Sequence, residues 1–366
     1  MTVVAQQHIS EISPYQAGMP IEHVARKYGL DPKTIIKLAS NENPLGMSPK
    51  AEDAIKHFMP REGHLYPDQY NLTQKLASKF DVKPESIILG NGSNDVIDLV
   101  ARAYVGHGRE GITSKYAFSA HKIAIHVSGG RNVIVADKDY GHDLDAMFAA
   151  ITPYTGMISV VNPNNPTGTL ISPAELEDFI KRVPKNIVIV LDEAYHEYLT
   201  NGDKTDSLQW PAKYPNLVVT RTFSKVYGLA GVRVGFGVAS PEVADVLNRV
   251  RLPFNVNALA LTAATAALDD DDFISRSVTI NNEGSKQLHE GFTKQNIEHL
   301  PIHGNFVAFK VGGKSAQINE EMLKRGVILR GLVPYAMTDY LRVSIGTNEE
   351  NLRFLGALEE AIATAA

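Results

Sequence analysis

Arg221-Thr222-Phe223-Ser224-Lys225 follows the apolar run Leu217-Val218-Val219, and Arg233 stands eight residues beyond the lysine. That order puts an amine on a loop at the end of a buried strand, beside two hydroxyls and a cation. Desolvation and a nearby positive charge both favour the neutral amine, the form that attacks a carbonyl. The plain alternative is a solvated lysine in a basic turn, the usual fate of the residue.

Three other clusters bear on that choice. Gly90-Asn91-Gly92-Ser93-Asn94-Asp95 precedes a helix expected over residues 96–104. Its glycines let backbone approach a phosphate, which free N–H groups and the helix dipole favour; a simple turn before a helix accounts for it too. Asp95 occupies the third glycine position of a dinucleotide fingerprint and no Walker lysine is present, so neither nucleotide motif is matched. Asp192 ends the run 187–191. It is a helix cap, a sheet-end residue, or the buried carboxylate that keeps a ring nitrogen protonated, as a pyridinium cofactor requires. Tyr195, three residues later, can reach the same ring. Asn162-Pro163-Asn164-Asn165-Pro166-Thr167-Gly168 is turn chemistry in its own right; within a site, Asn165 can bond a ring oxygen.

These clusters need a scaffold that gathers them. Short apolar runs at 87–89, 133–135, 158–161, 187–191, 217–219 and 232–236 alternate with helix-like segments. Ser172-Pro173-Ala174-Glu175 is a capping box with proline at the first helical position, opening a helix to about Arg182. Continuous rather than alternating apolar strands imply a sheet covered on both faces, hence an α/β fold with mostly parallel strands. Ligands of such sheets bind outside the carboxyl ends of the strands, where the polar clusters fall. After residues 251–254 a long helical region, 258–292, leads to short strands near 306–311 and 341–345 and a last helix opened by Thr347-Asn348-Glu349-Glu350. The organisation reads as an N-terminal arm with part of a small domain (1–40), a large domain (41–255) and a smaller α+β domain (256–366).

Composition narrows the classes. A chain of 366 residues is long enough for two cores. A net charge of −5 with both signs interspersed provides no basic stripe, so no nucleic-acid partner is expected. The absence of cysteine removes disulfides, thiolate metal sites and cysteine nucleophiles, and fits a reducing, cytoplasmic location; no metal is expected. Residues 1–10 lack a cationic stretch followed by an apolar one, and no apolar run approaches the ~18 residues of a membrane span. The acidic run 269–272 is expected on a solvated surface.

Asn-Pro-Thr-Gly, then Asp-x-Ala-Tyr, then Ser-Lys with an arginine eight residues later is an ordered set that resembles the fold-type-I pyridoxal-phosphate aminotransferases, from Tyr15 to Arg342. The resemblance implies a large domain built on a mostly parallel seven-stranded sheet, with pyridoxal 5'-phosphate as cofactor. It implies that Lys225 carries the internal Schiff base and shuttles the proton. Asp192 would pair the pyridinium nitrogen, Asn165 and Tyr195 the phenolic oxygen, and Ser93, Asn94, Thr222, Ser224 and Arg233 the phosphate. Ser13-Pro14-Tyr15-Gln16, residues 38–46, Leu65-Tyr66-Pro67-Asp68 and residues 341–347 are similar to the histidinol-phosphate aminotransferase subgroup. That implies transamination of L-histidinol phosphate with 2-oxoglutarate, giving imidazole-acetol phosphate and L-glutamate. It implies a homodimer in which Tyr66 reaches the neighbouring cofactor phosphate, with Tyr15, Asn165, Arg330 and Arg342 at the substrate. An aromatic amino-acid aminotransferase acting on phenylalanine or tyrosine is the alternative; a phosphoamino-acid decarboxylase and a regulatory binder on the same scaffold stand behind it. The chain departs from the subgroup at Tyr116-Ala117-Phe118-Ser119-Ala120-His121. Phe118 is placed on the cofactor ring with Tyr116 as fallback, and His121 is read as a surface histidine in preference to a residue that tunes substrate choice.

Overall fold

The apolar runs converge on one sheet in the computed structural model, which describes residues 3–15, 18–200 and 202–365; Gln16 of the N-terminal motif lies outside the described residues. Its seven strands are β1 (Ile87–Gly90), β2 (Glu110–Ser114), β3 (Arg131–Val135), β4 (Thr155–Val161), β5 (Val188–Asp192), β6 (Leu217–Thr222) and β7 (Gly235–Val238). They lie in the order β1-β7-β6-β5-β4-β2-β3, with β7 antiparallel to both its neighbours and the other pairings parallel. Ile189 and Leu191 of β5 enter one apolar cluster while Val188 and Val190 enter the other. That alternation on a two-sided sheet explains why the strand reads as an unbroken apolar run.

Helices cover both faces. Pro173–Arg182, opened by the expected capping box, buries Leu176, Phe179 and Ile180 in the first cluster. Ser93–Tyr104 lays Val96, Ile97 and Val100 on the second. A separate core is built from Phe306–Lys310 and Arg330–Gly331, both antiparallel to Tyr340–Ser344, under Asp271–Lys294 and Asn348–Ala365. The N-terminal arm joins this smaller core, because Ile36–Lys37 pairs in parallel with Val327–Ile328.

The structure departs from the sequence expectations in five places. The run at 232–236 becomes a strand only at Gly235–Val238, since Arg233 adopts a left-handed φ of 64° that breaks extended backbone. Glu110–Ser114, with two apolar-run breakers and two hydroxyls, is a buried inner strand that no apolar run announces. The helix expected over 96–104 begins earlier, at Ser93. The long helical region divides into Ala258–Ala267 and Asp271–Lys294, and the first piece packs in the larger core, beyond the expected boundary at 255. Asp270 of the acidic run is buried, taking a 2.6 Å hydrogen bond from Ser48 Oγ, instead of lying in solvent.

One buried ion pair ties β6 to the end of β5. Arg221 donates to Glu193 Oε2 from Nε (3.0 Å) and Nη2 (2.9 Å), and Ser207 Oγ donates to the same oxygen at 2.7 Å. Both partners are shut off from solvent, so removing one strands the other. Arg221→Ala is expected to lower unfolding stability by about 3–5 kcal/mol in denaturant titration, and Arg221→Met with Glu193→Gln by clearly less. Equal losses would contradict this account of the pair.

Candidate active site

The carboxyl ends of β1, β4, β5 and β6 open on one cavity of about 220 Å³ between the two cores. Every residue expected at the site lines it except Tyr66, which lies 80% exposed and stacked on Phe254 with ring centroids 4.5 Å apart. Phe118 lines the cavity; Tyr116 does not, being stacked on Tyr140 instead.

At one end, helix Ser93–Tyr104 points its N-terminus into the cavity. Its cap residue Gly92 has a φ of 87°, and a Cβ there would collide with the Arg233 guanidinium. Gly235 likewise admits the backbone of Ser93 against β7. Arg233 donates from Nη1 to Ser224 Oγ (3.3 Å), and Ser224 N donates to Thr222 Oγ1 (3.1 Å). Free amides, two hydroxyls and a guanidinium converge here, the donor set that a phosphate monoester takes up.

At the other end lies Asp192, 3% exposed. Thr220, its register partner on β6, donates to Oδ1 at 3.2 Å, and His121 Nε2 donates to Oδ2 at 3.1 Å. A carboxylate only accepts, so Nε2 carries a hydrogen, and Ser159 Oγ lies within hydrogen-bond distance of Nδ1 on the other side of the ring. His121 is therefore fully buried behind the carboxylate, not on the surface. Its place one turn after Phe118 was the available sequence signal, since residues three apart on a helix share a face.

Lys225 stands between these ends. Its Nζ donates to Ser40 O (3.1 Å) and Asn41 O (3.2 Å), two acceptors that match the two N–H bonds of a neutral amine and leave its lone pair to the cavity. Burial first, then the Arg342 guanidinium, pull its pKa down to about 7. Arg233, the cation that the sequence supplied, contributes less than Arg342. Above Lys225, Tyr195 Oη accepts from Asn165 Nδ2 at 3.0 Å and from Asn41 Nδ2 at 2.9 Å. Burial pushes the Tyr195 hydroxyl up to about 12, so it remains a donor at neutral pH.

The wall facing the amine is cationic. Arg330 and Arg342 are register partners on neighbouring antiparallel strands, an arrangement in which like charges repel. Arg342 donates to Asn165 Oδ1 (2.6 Å) and Ala39 O (2.9 Å), while its buried Nε has no partner among the described residues. Arg330 lies 5.3 Å over the Tyr15 ring. Two opposed guanidiniums and an unused donor suit an anionic substrate group. Asn41, Tyr335 and Ser159 had no role assigned from sequence; Asn41 lay inside a noted motif, whereas Tyr335 and Ser159 carry no local signal.

Residues 33–358 match the family model described as aminotransferase class I and II. A histidinol-phosphate aminotransferase of Methylobacillus flagellatus is 48% identical over 362 residues, covering 98% of each chain. One from Dechloromonas aromatica is 48% identical over 358 residues, again 98% of each. The crystal structure of histidinol-phosphate aminotransferase from Sinorhizobium meliloti in complex with pyridoxal-5'-phosphate superposes with a TM-score of 0.90 at 25% identity, covering 100% of this chain and 99% of that one.

The lowered lysine gives a direct test on the cofactor-free protein. Labelling of Lys225 by an amine-reactive reagent, read by peptide mapping, is expected to rise with pH through a midpoint near 7. A midpoint at the ordinary lysine value would contradict the desolvated site.

Proposed function

The chain belongs to the class I and II aminotransferases, and from that membership we propose that it transfers the amino group of L-histidinol phosphate to 2-oxoglutarate, giving imidazole-acetol phosphate and L-glutamate. The observation that carries this reading is Lys225, held as a desolvated amine between a phosphate cradle and a buried carboxylate, opposite two guanidiniums. The donor set fits pyridoxal 5'-phosphate. Ser93, Asn94, Thr222, Ser224 and Arg233 would hold its phosphate, Phe118 would pack on its ring, and Asn165 with Tyr195 would bond its phenolic oxygen. When bound, the cofactor supplies an electron-poor ring that stabilises negative charge on the carbon bearing the substrate amine.

The chain's own groups do the rest. Asp192, fixed by Thr220 and His121, would keep a proton on the ring nitrogen. Lys225 would hold the cofactor covalently, and as a neutral amine facing the cavity it is placed to take a proton from the substrate carbon and return it one carbon away. Arg330, Arg342, Tyr15 and Asn165 orient the substrate anion: a phosphate in one half-reaction, a carboxylate in the other, both of which a planar guanidinium accepts. Enclosure between the two cores limits water at the reacting carbon.

The reading includes a second copy of the chain. Leu65, Tyr66, Leu252 and Phe254 are all more than half exposed, and the Tyr66–Phe254 stack presents an apolar surface of the kind that marks an interface. Tyr66 then reaches the cofactor phosphate of the partner subunit, in a homodimer acting in the cytoplasm. No described helix is long and apolar enough to cross a membrane.

Two measurements test the proposal. The kcat/KM for histidinol phosphate is expected to exceed that for phenylalanine by about a hundredfold or more, because the amino acid offers the two arginines a singly charged carboxylate where the phosphate monoester offers up to two charges and three acceptor oxygens; equal values or a preference for phenylalanine would overturn the substrate. Mixing Lys225→Ala with Tyr66→Ala protein should restore about a quarter of wild-type activity, since half the dimers then hold one intact site of two. No restoration would place Tyr66 outside the partner's site.

A further inference from the structure

Asn41 sits where the two cores meet at the cavity, 1% exposed and with a left-handed φ of 55°. Asparagine tolerates that backbone better than branched residues do. The conformation turns its carbonyl and its side chain toward two different partners. The carbonyl accepts from Lys225 Nζ (3.2 Å) and from Asn305 Nδ2 (3.0 Å). The side-chain Nδ2 donates to Tyr195 Oη at 2.9 Å. Ser344 Oγ accepts from the Asn41 N–H (2.8 Å) and donates to Oδ1 (3.2 Å), which fixes the amide with its nitrogen toward Tyr195. Asn305 and Ser344 belong to the smaller core, while Tyr195 and Lys225 extend from the strand ends of the large sheet.

A tyrosine oxygen has two lone pairs and one proton. Asn165 and Asn41 each give it an N–H, so both lone pairs are taken and the O–H is left to point elsewhere. The Asn165 amide is itself fixed by Arg342, which can only donate. We propose that Asn41 is a positioning residue for the reaction: its side chain aims the Tyr195 hydroxyl proton into the cavity, and its carbonyl parks the Lys225 amine. The inference rests on the cofactor reading above, in which that proton meets the ring's phenolic oxygen. Other charged or titratable groups around Tyr195 are Arg342, Asp192, Tyr335, Tyr198 and Lys225, and all stay in place in the variants below.

Asn41→Gly keeps the left-handed backbone and the carbonyl but deletes the amide. Asn41→Asp keeps the shape but replaces the donor with an acceptor that draws the Tyr195 proton away. A ring oxygen that loses its hydrogen bond holds a neighbouring proton to higher pH. The pH midpoint of the bound cofactor's visible band is therefore expected to rise by about half a unit in Asn41→Gly and further in Asn41→Asp, with kcat down about tenfold. A purely structural residue would lower the unfolding temperature and leave the midpoint in place, and that result overturns the inference. Should Asn41→Gly fail to fold, the isosteric Asn41→Asp carries the same test. A wild-type protein with no pyridoxal-phosphate band overturns the cofactor reading and this inference with it; an unshifted band in well-loaded variants overturns the inference alone.

Discussion

An amine taken out of water must shed its proton or find an anion, and around Lys225 burial and the Arg342 guanidinium favour shedding it. Burial is the largest influence and Arg342 the next, outweighing the opposite pull of Glu42 and Asp192. The two carbonyl acceptors at Ser40 and Asn41 satisfy a neutral amine without supplying the charge that would protonate it. The rest of the architecture serves this point. The two-sided sheet buries the strand ends, the smaller core closes over them, and the N-terminal arm threads between to deliver the carbonyls.

The cavity is a positive enclave in a chain of net charge −5. A helix N-terminus and Arg233 stand at one end and the Arg330–Arg342 pair at the wall, with Asp192 as the buried counter-charge at the far end. Such a distribution is unfavourable when empty of anions, since like charges face each other across one sheet. It becomes favourable when a phosphate and a second anion arrive together. The strain at Arg233 and Asn41, both left-handed, belongs with this: backbone is held out of its preferred region where side chains must converge.

Much of this was legible in the sequence because the strands are continuous and the polar groups sit at their ends. The run before Asp192 and the run before Thr222 each announce both a strand and the residue at its carboxyl end that lines the cavity. Glu110–Ser114 was not legible, since a strand buried by its neighbours can use small and polar residues. His121 was misread because burial of a lone histidine depends on the carboxylate it meets, which comes 71 residues later. Asn41 illustrates the same limit, and Arg342 was placed at the site by resemblance alone. Their roles arise from contacts between the two cores, and no local periodicity encodes which side chains will face each other across that gap.

The central claim, that Lys225 is the reactive amine, is met most directly by trapping. The protein is incubated with pyridoxal 5'-phosphate, reduced with borohydride, digested and mapped by mass spectrometry. The account predicts one stoichiometric pyridoxyl label on Lys225, absent from Lys225→Ala. A label on another lysine, or none, would contradict it.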